Sequence, residues 1–274
     1  MKELNFKSPT FFERLKGMLG VDFYRLFHTP MFYIFLGIAA VIPAMILGTM
    51  GMENPQTGTV AEPLYTNTWH IIAAETPLYV VNSIADYANM NMVFIFGGIM
   101  VSIFIGHDYK SGYVKQLFTT HSKKIDYMLS KTIVSAFSMA CMCVTYLIGA
   151  VGAGIFTGIS FEVNAGSLII AILSKMIMSL GWASLYTFLN IIFRKYFGVS
   201  IVSCFFFGTG ILIIGAAAIF GNSSILNIFL YGSSVYACLS SNILTLLVCL
   251  ICSVVWTAIY TIAGTHILSK CDVY

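Results

Sequence analysis

The side chains able to do chemistry sit mostly where no recognised chemistry assembles. Glu62, His70, Glu75 and Asp86 share one stretch and have the types needed to hold a metal or trade protons, but their spacing matches no H-E-x-x-H or comparable ligand set. No G-x-S-x-G turn offers a serine nucleophile, and no G-x-x-x-x-G-K-[ST] loop offers a phosphate cradle. Cys249 and Cys252 stand three apart like half of a metal or redox site, without a second pair or a neighbouring His, and read as small packing residues. Catalysis by this chain is not expected, and no cofactor of its own is expected.

The elements that must position these groups are set by hydropathy. The chain has 274 residues, of which 58% are hydrophobic and 9% charged, too few charges to cover a water-soluble globule of that length. The expected fold is all-α and membrane-spanning, with crossings near 31–50, 89–106, 131–157, 168–193, 197–220 and 242–268. Thirteen of the fourteen Lys and Arg residues fall in 1–30, in 107–131, at Arg194 and Lys195, and at Lys270. The gap 51–88 carries four acidic residues and no basic one, and the gap after the third span carries only Glu162. Positive charge stays inside, so six helices with both termini in the cytoplasm are expected. The stretch 1–30 lacks a small-residue cleavage site and is expected to remain on the protein.

Residues 1–30 form one expected unit, an interfacial amphipathic helix, and 31–274 the membrane domain. Ser8 before Pro9 reads as a helix cap. Phe12, Leu15, Leu19, Phe23 and Leu26 recur at helical spacing, with Glu13, Arg14, Lys16 and Arg25 mainly opposite and Asp22 an exception near the apolar edge. Thr29 and Pro30 restart the helix as the first span. The segment 107–131 is longer than a connector needs to be, and interleaves Tyr113, Val114, Leu117 and Phe118 with Lys110, Lys115, Lys123 and Lys124. It reads as a short helix set in a groove of another protein, with lysines at the rim.

Within the spans, Lys175 is the single basic residue, to be explained by snorkelling, by pairing with Glu162 or by a place in a pathway. Ala150, Gly154 and Gly158 make small steps for close helix packing, and Phe205 and Phe206 lie in the fifth span. Residues 221–241 are uncharged and too broken for another clean span.

The run Asp22-Phe23-Tyr24-Arg25-Leu26-Phe27 ahead of Phe32-Tyr33, the inner loop 107–131 and the six spans together resemble the permease subunits of ABC-2 type transporters. Asp108, Gly112, Lys115 and Lys131 fit that family's loop pattern, whereas His121 with Lys123 and Lys124 stand where the family often has Pro and Arg. The resemblance implies a permease of a bacterial inner-membrane exporter, with ATP and Mg bound by a separate ATPase subunit. A second permease copy would complete the pathway within the lipid bilayer, and nucleic acid is not an expected partner. It implies coupling to the ATPase through Asp108, Gly112, Lys115, Leu117, Lys123, Lys124, Lys131, Arg14 and Arg25, and a pathway touching Lys175, Phe205 and Phe206. Its small members point to export of, or self-protection against, antimicrobial peptides or other amphipathic compounds. A membrane sensor or immunity protein that binds a peptide without pumping it is the alternative.

Overall fold

The computed structural model describes residues 9–50, 92–119, 123–156, 165–209, 228–239 and 242–270. Among them the secondary structure is entirely helical: α1 Phe11–His28, α2 Pro30–Met50, α3 Met92–Lys110, α4 Tyr113–Thr119, α5 Lys124–Phe156, α6 Ala165–Ile192, α7 Phe197–Gly208, α8 Leu230–Leu239 and α9 Ile243–Lys270. Among the described residues four stretches are long and apolar enough to cross a bilayer, Met92–Lys110, Lys124–Ala153, Leu168–Ile192 and Ile243–Lys270, or five if α1 and α2, bent by 65° at Thr29, count as one. The remainder of the expected fifth span, the outer segment 51–88 with its His70 and carboxylates, and Glu162 lie outside the described residues. The expected broken segment 221–241 contains α8, whose 10 residues are too short to cross alone.

α1 is capped by Thr10, not by Ser8: the Thr10 hydroxyl accepts from the Glu13 N–H, and the Glu13 carboxylate accepts from the Thr10 N–H at 2.7 Å, a reciprocal capping box. The Thr10 N–H, and the Thr10 hydroxyl, which also donates to the same carboxylate oxygen at 2.9 Å, hold the Glu13 carboxyl below its ordinary range. Because the folded pKa is depressed, the cap's contribution is present above the free-glutamate range and is lost as pH falls through the lowered value. Amide protection at Glu13 and Arg14, taken relative to the intrinsic exchange rate at each pH, is therefore expected to fall on acidification, and Glu13→Gln should remove that pH dependence. Thr29 ends α1 with its hydroxyl donating back to the Arg25 carbonyl at 2.6 Å, so it finishes the first helix while Pro30 starts the next.

α1 turns one ridge into the protein. Its buried ridge is Met18, Asp22 and Leu26, whereas Phe12 is 78% exposed. Arg14 and Arg25 turn toward the protein, because acidic partners wait on α5 and α3. The helix that carries the expected third span begins at Lys124, and Asp126 and Lys131 in its first turns are paired inside the fold.

α5 lies against α1, α2, α3, α6 and α9, and α6 joins α3, α7, α8 and α9. Trp182 on α6 stacks on Phe94 and donates its indole N–H to Ser234 on α8 at 2.7 Å, while Ser253 on α9 donates to the Ile177 carbonyl and accepts from the Gly181 N–H. The tightest approach is between α2 and α5: a Cβ on Gly149 would stand 2.0 Å from the Ala40 carbonyl oxygen. Of the small residues singled out above, Ala150 is fully buried, but Gly149 is the one that sets this distance. Cys249 and Cys252 direct their thiols to the backbone carbonyls of Ser233 and Ile228, which ties α9 to the α8 region.

Candidate functional site

Four charged side chains meet where α1, α3, α4 and α5 converge. Lys131, fully buried on α5, donates from Nζ to Asp22 Oδ1 on α1 and to Asp108 Oδ2 on α3, both at 2.6 Å. Ser130 Oγ donates to the other Asp22 oxygen at 2.7 Å, and Arg25 Nη2 binds the other oxygen of Asp108. The Tyr127 hydroxyl stands 3.5 Å from Asp108 Oδ2. Two cations therefore face two carboxylates and the cluster is neutral.

Aromatic rings enclose it. The Arg25 guanidinium lies 4.4 Å from the Tyr113 ring centroid, and Lys131 Nζ lies 4.7 Å from that of Phe104. Burial raises the Tyr113 phenol's pKa, with Asp22 and Asp108 pushing the same way against Arg25, so it stays a neutral ring over the cation at ordinary pH. Taking one ion out of water costs several kcal/mol, which only close pairing and saturated hydrogen bonds offset. Such a cluster fixes one geometry of four elements and tolerates no vacancy.

A second ionic link, Arg14 Nε to Asp126 Oδ2 at 2.8 Å, clips the start of α1 to the start of α5. Between the two, α4 is seated on its own chain: Val114, Leu117 and Phe118 pack with Met18, Tyr127, Met128, Ile191 and Leu268. This corrects the reading of α4 as an apolar helix awaiting a foreign groove. What it leaves to the outside is Lys115, Gln116 and Thr119, with Lys123 exposed nearby. Gly112 makes the turn into α4 at φ +72°, a conformation glycine takes without a Cβ penalty.

The structure thus brings together Asp108, Lys131 and Arg25 in the interior, and Lys115 and Lys123 at the surface. Lys124 donates to the Ser269 carbonyl at 3.4 Å, near the end of α9. Lys175 lies apart, half-buried on α6 with Nζ 6.0 Å from the Tyr146 ring centroid, and Phe205 and Phe206 are exposed on α7. Asp22, Asp126 and Ser130 are the members that sequence reasoning missed. The available signal was Asp22 itself, an acid in register with Met18 and Leu26 on the ridge of an amphipathic helix, which calls for a buried cation. Among the described residues no group of three or more His, Cys, Asp or Glu side chains could hold a metal. The arrangement couples the positions of four helices and can transmit a displacement among them.

No curated protein is matched by the sequence. A family model described as ABC-2 family transporter protein matches residues 19–210, well over half of the chain, running from within α1 through α7. That span includes every member of the neutral cluster, and the chain belongs to the ABC-2 family of transporter proteins.

Proposed function

We propose that this chain is the permease subunit of an ATP-binding cassette exporter of the bacterial inner membrane, with six spans and both termini cytoplasmic. It has no ATPase site of its own. A separate ABC ATPase, the usual companion of this family, docks on its first cytoplasmic loop. Two copies, or one copy and a paralogue, form the pathway.

The observation that carries the reading is the seating of α4. Its exposed edge, Lys115 and Gln116, is backed by Tyr113 against Arg25 and by Val114 against Met18. A push on that edge reaches α1 through both contacts, and reaches α3 and α5 through Asp108 and Lys131. Asp108, Lys131 and Arg25 act as the rigid backing, while Lys115, Lys123 and neighbouring polar groups meet the ATPase. The cargo we propose is an amphipathic compound such as an antimicrobial peptide; a cleft of about 300 Å³ between α1, the start of α2 and α3 sets Met31, Ile103 and Phe104 beside His28 and His107. Lys175, Phe205 and Phe206 belong to the proposed pathway.

The test is affinity purification of the tagged chain in mild detergent, with identification and ATPase assay of what accompanies it. A stoichiometric P-loop ATPase is expected. Gly112→Val meets no neighbour within 4 Å and strains only the backbone. It should therefore leave the permease in the membrane while uncoupling hydrolysis from transport at least tenfold, the effect of re-aiming α4 by a change of about 1–2 kcal/mol or more at a positive-φ position. Unchanged coupled transport in that variant would remove the loop from the mechanism. A chain that purifies folded and alone would favour the sensor or immunity reading.

A further inference from the structure

A second polar feature lies away from the coupling cluster, where α3 ends and α6 gives way to α7. A cleft of about 220 Å³ opens there, lined by Lys110, Arg194 and Lys195 with Phe197, Asn190 and Ser200 among the residues completing it. Among the described residues that line it there is no carboxylate. Lys110 Nζ rests 4.2 Å from the Phe197 ring centroid, which holds the ammonium at the cleft. The floor is already satisfied: Asn190 Nδ2 donates to Ser102 Oγ at 3.1 Å and to the Tyr186 carbonyl at 2.8 Å, and Ser200 Oγ donates to Asn190 Oδ1. Among the described residues that line the cleft, none offers the cations at its mouth an anion. The first turn of α7 adds the positive end of a helix dipole, since Tyr196 provides no side-chain cap.

The apolar surroundings identify the occupant. Val199 and Val202 continue from this cleft along α7 at helical spacing, and are 46% and 66% exposed. A soluble phosphate compound has no use for such a ridge, whereas a phospholipid has both parts required. We propose that the cleft seats the phosphate of an anionic phospholipid of the inner leaflet, with its acyl chains along the α7 ridge. Basic pockets between membrane helices on the cytoplasmic side recognise such headgroups. The proposal uses the inward orientation of this end, but neither transport nor the ATPase.

The experiment is native mass spectrometry of the full chain released from detergent and titrated with phosphatidylglycerol or phosphatidylcholine. Wild type is expected to prefer the anionic lipid about a hundredfold, as three basic residues acting together would give. Lys110→Gln with Arg194→Gln and Lys195→Gln should bring the two lipids near parity. Gly198→Glu is the second variant: its Cβ meets nothing within 4 Å, and an acid in the first turn favours the helix while repelling a phosphate. It should lower the preference about tenfold with the fold intact. Removing Lys115, Lys123 and Lys124 instead should leave the preference unchanged. Retained preference in both cleft variants would overturn the site, as would displacement of the lipid by millimolar inorganic phosphate. Loss of a copurifying ATPase from the triple variant, with lipid binding intact, would hand the cleft to that partner.

Discussion

Lys131→Met is expected to destabilise the protein by about 3–5 kcal/mol, the cost of leaving a buried charge uncompensated. The substitution leaves Asp22 and Asp108 facing Arg25 alone, one negative charge in excess inside a site where Lys131 and both carboxylates are fully buried. The physical cause is charge balance and not the loss of an attractive contact, and this separates two outcomes. Adding Asp22→Asn to Lys131→Met restores neutrality and should recover at least half of the loss, as read from thermal unfolding in detergent. Effects of the two substitutions that simply add would show that the pairs act independently and would sink the description of one neutral cluster. Arg14→Ala leaves the fully buried Asp126 carboxylate without its cation and should likewise destabilise the protein.

Gly149→Ala carries the second large effect. The new methyl would stand 2.0 Å from the Ala40 carbonyl oxygen and 2.8 Å from its carbon, both backbone atoms that no side-chain rotation can move. α2 and α5 would have to separate along their contact, at a cost of about 3 kcal/mol, the upper end of ordinary overpacking. Gly152, on the same helix one turn later, meets nothing within 4 Å. Gly152→Ala should therefore be neutral or slightly stabilising, since alanine is the better helix former. Thermal unfolding of the two variants side by side decides the matter: equal melting behaviour would mean that α2 does not lie on α5 at this distance.

What could be read from sequence follows the range of the forces involved. Hydropathy is local, so α3, α5, α6 and α9 fell within a few residues of their expected spans, apart from the early start of α5. Cap chemistry is local as well, and Thr10-x-x-Glu13 was as visible as Ser8-Pro9; the choice between them required the geometry of the Glu13 side chain. The cluster was legible only in pieces. Asp108, Lys131 and Arg25 could each be singled out through the family resemblance, but sequence gave no sign that they touch, since Arg25 and Asp108 are 83 residues apart and Asp22 and Lys131 are 109 apart. Treating Lys131 as a mark of the membrane edge followed from the same limit. A charge reads as exposed until its partner is found, and the partner was on another helix. The apolar side of α4 misled for a related reason: Val114, Leu117 and Phe118 announce that something covers them, and only the fold shows that α1, α5, α6 and α9 supply it.

The long reach of the cluster also sets an order of events during synthesis. Asp22 leaves the ribosome 109 residues ahead of Lys131. At about 5–20 residues per second that is a wait of roughly 5–20 s. During that time the N-terminal helix carries an acid on its buried ridge without its partner. A nascent chain that has completed α3 but not the first turns of α5 holds Asp22 and Asp108 against Arg25 alone, and has no stable way to bury them. Completion of α5 is then the step that locks the N-terminal helix down, since Lys131 brings the two carboxylates into balance.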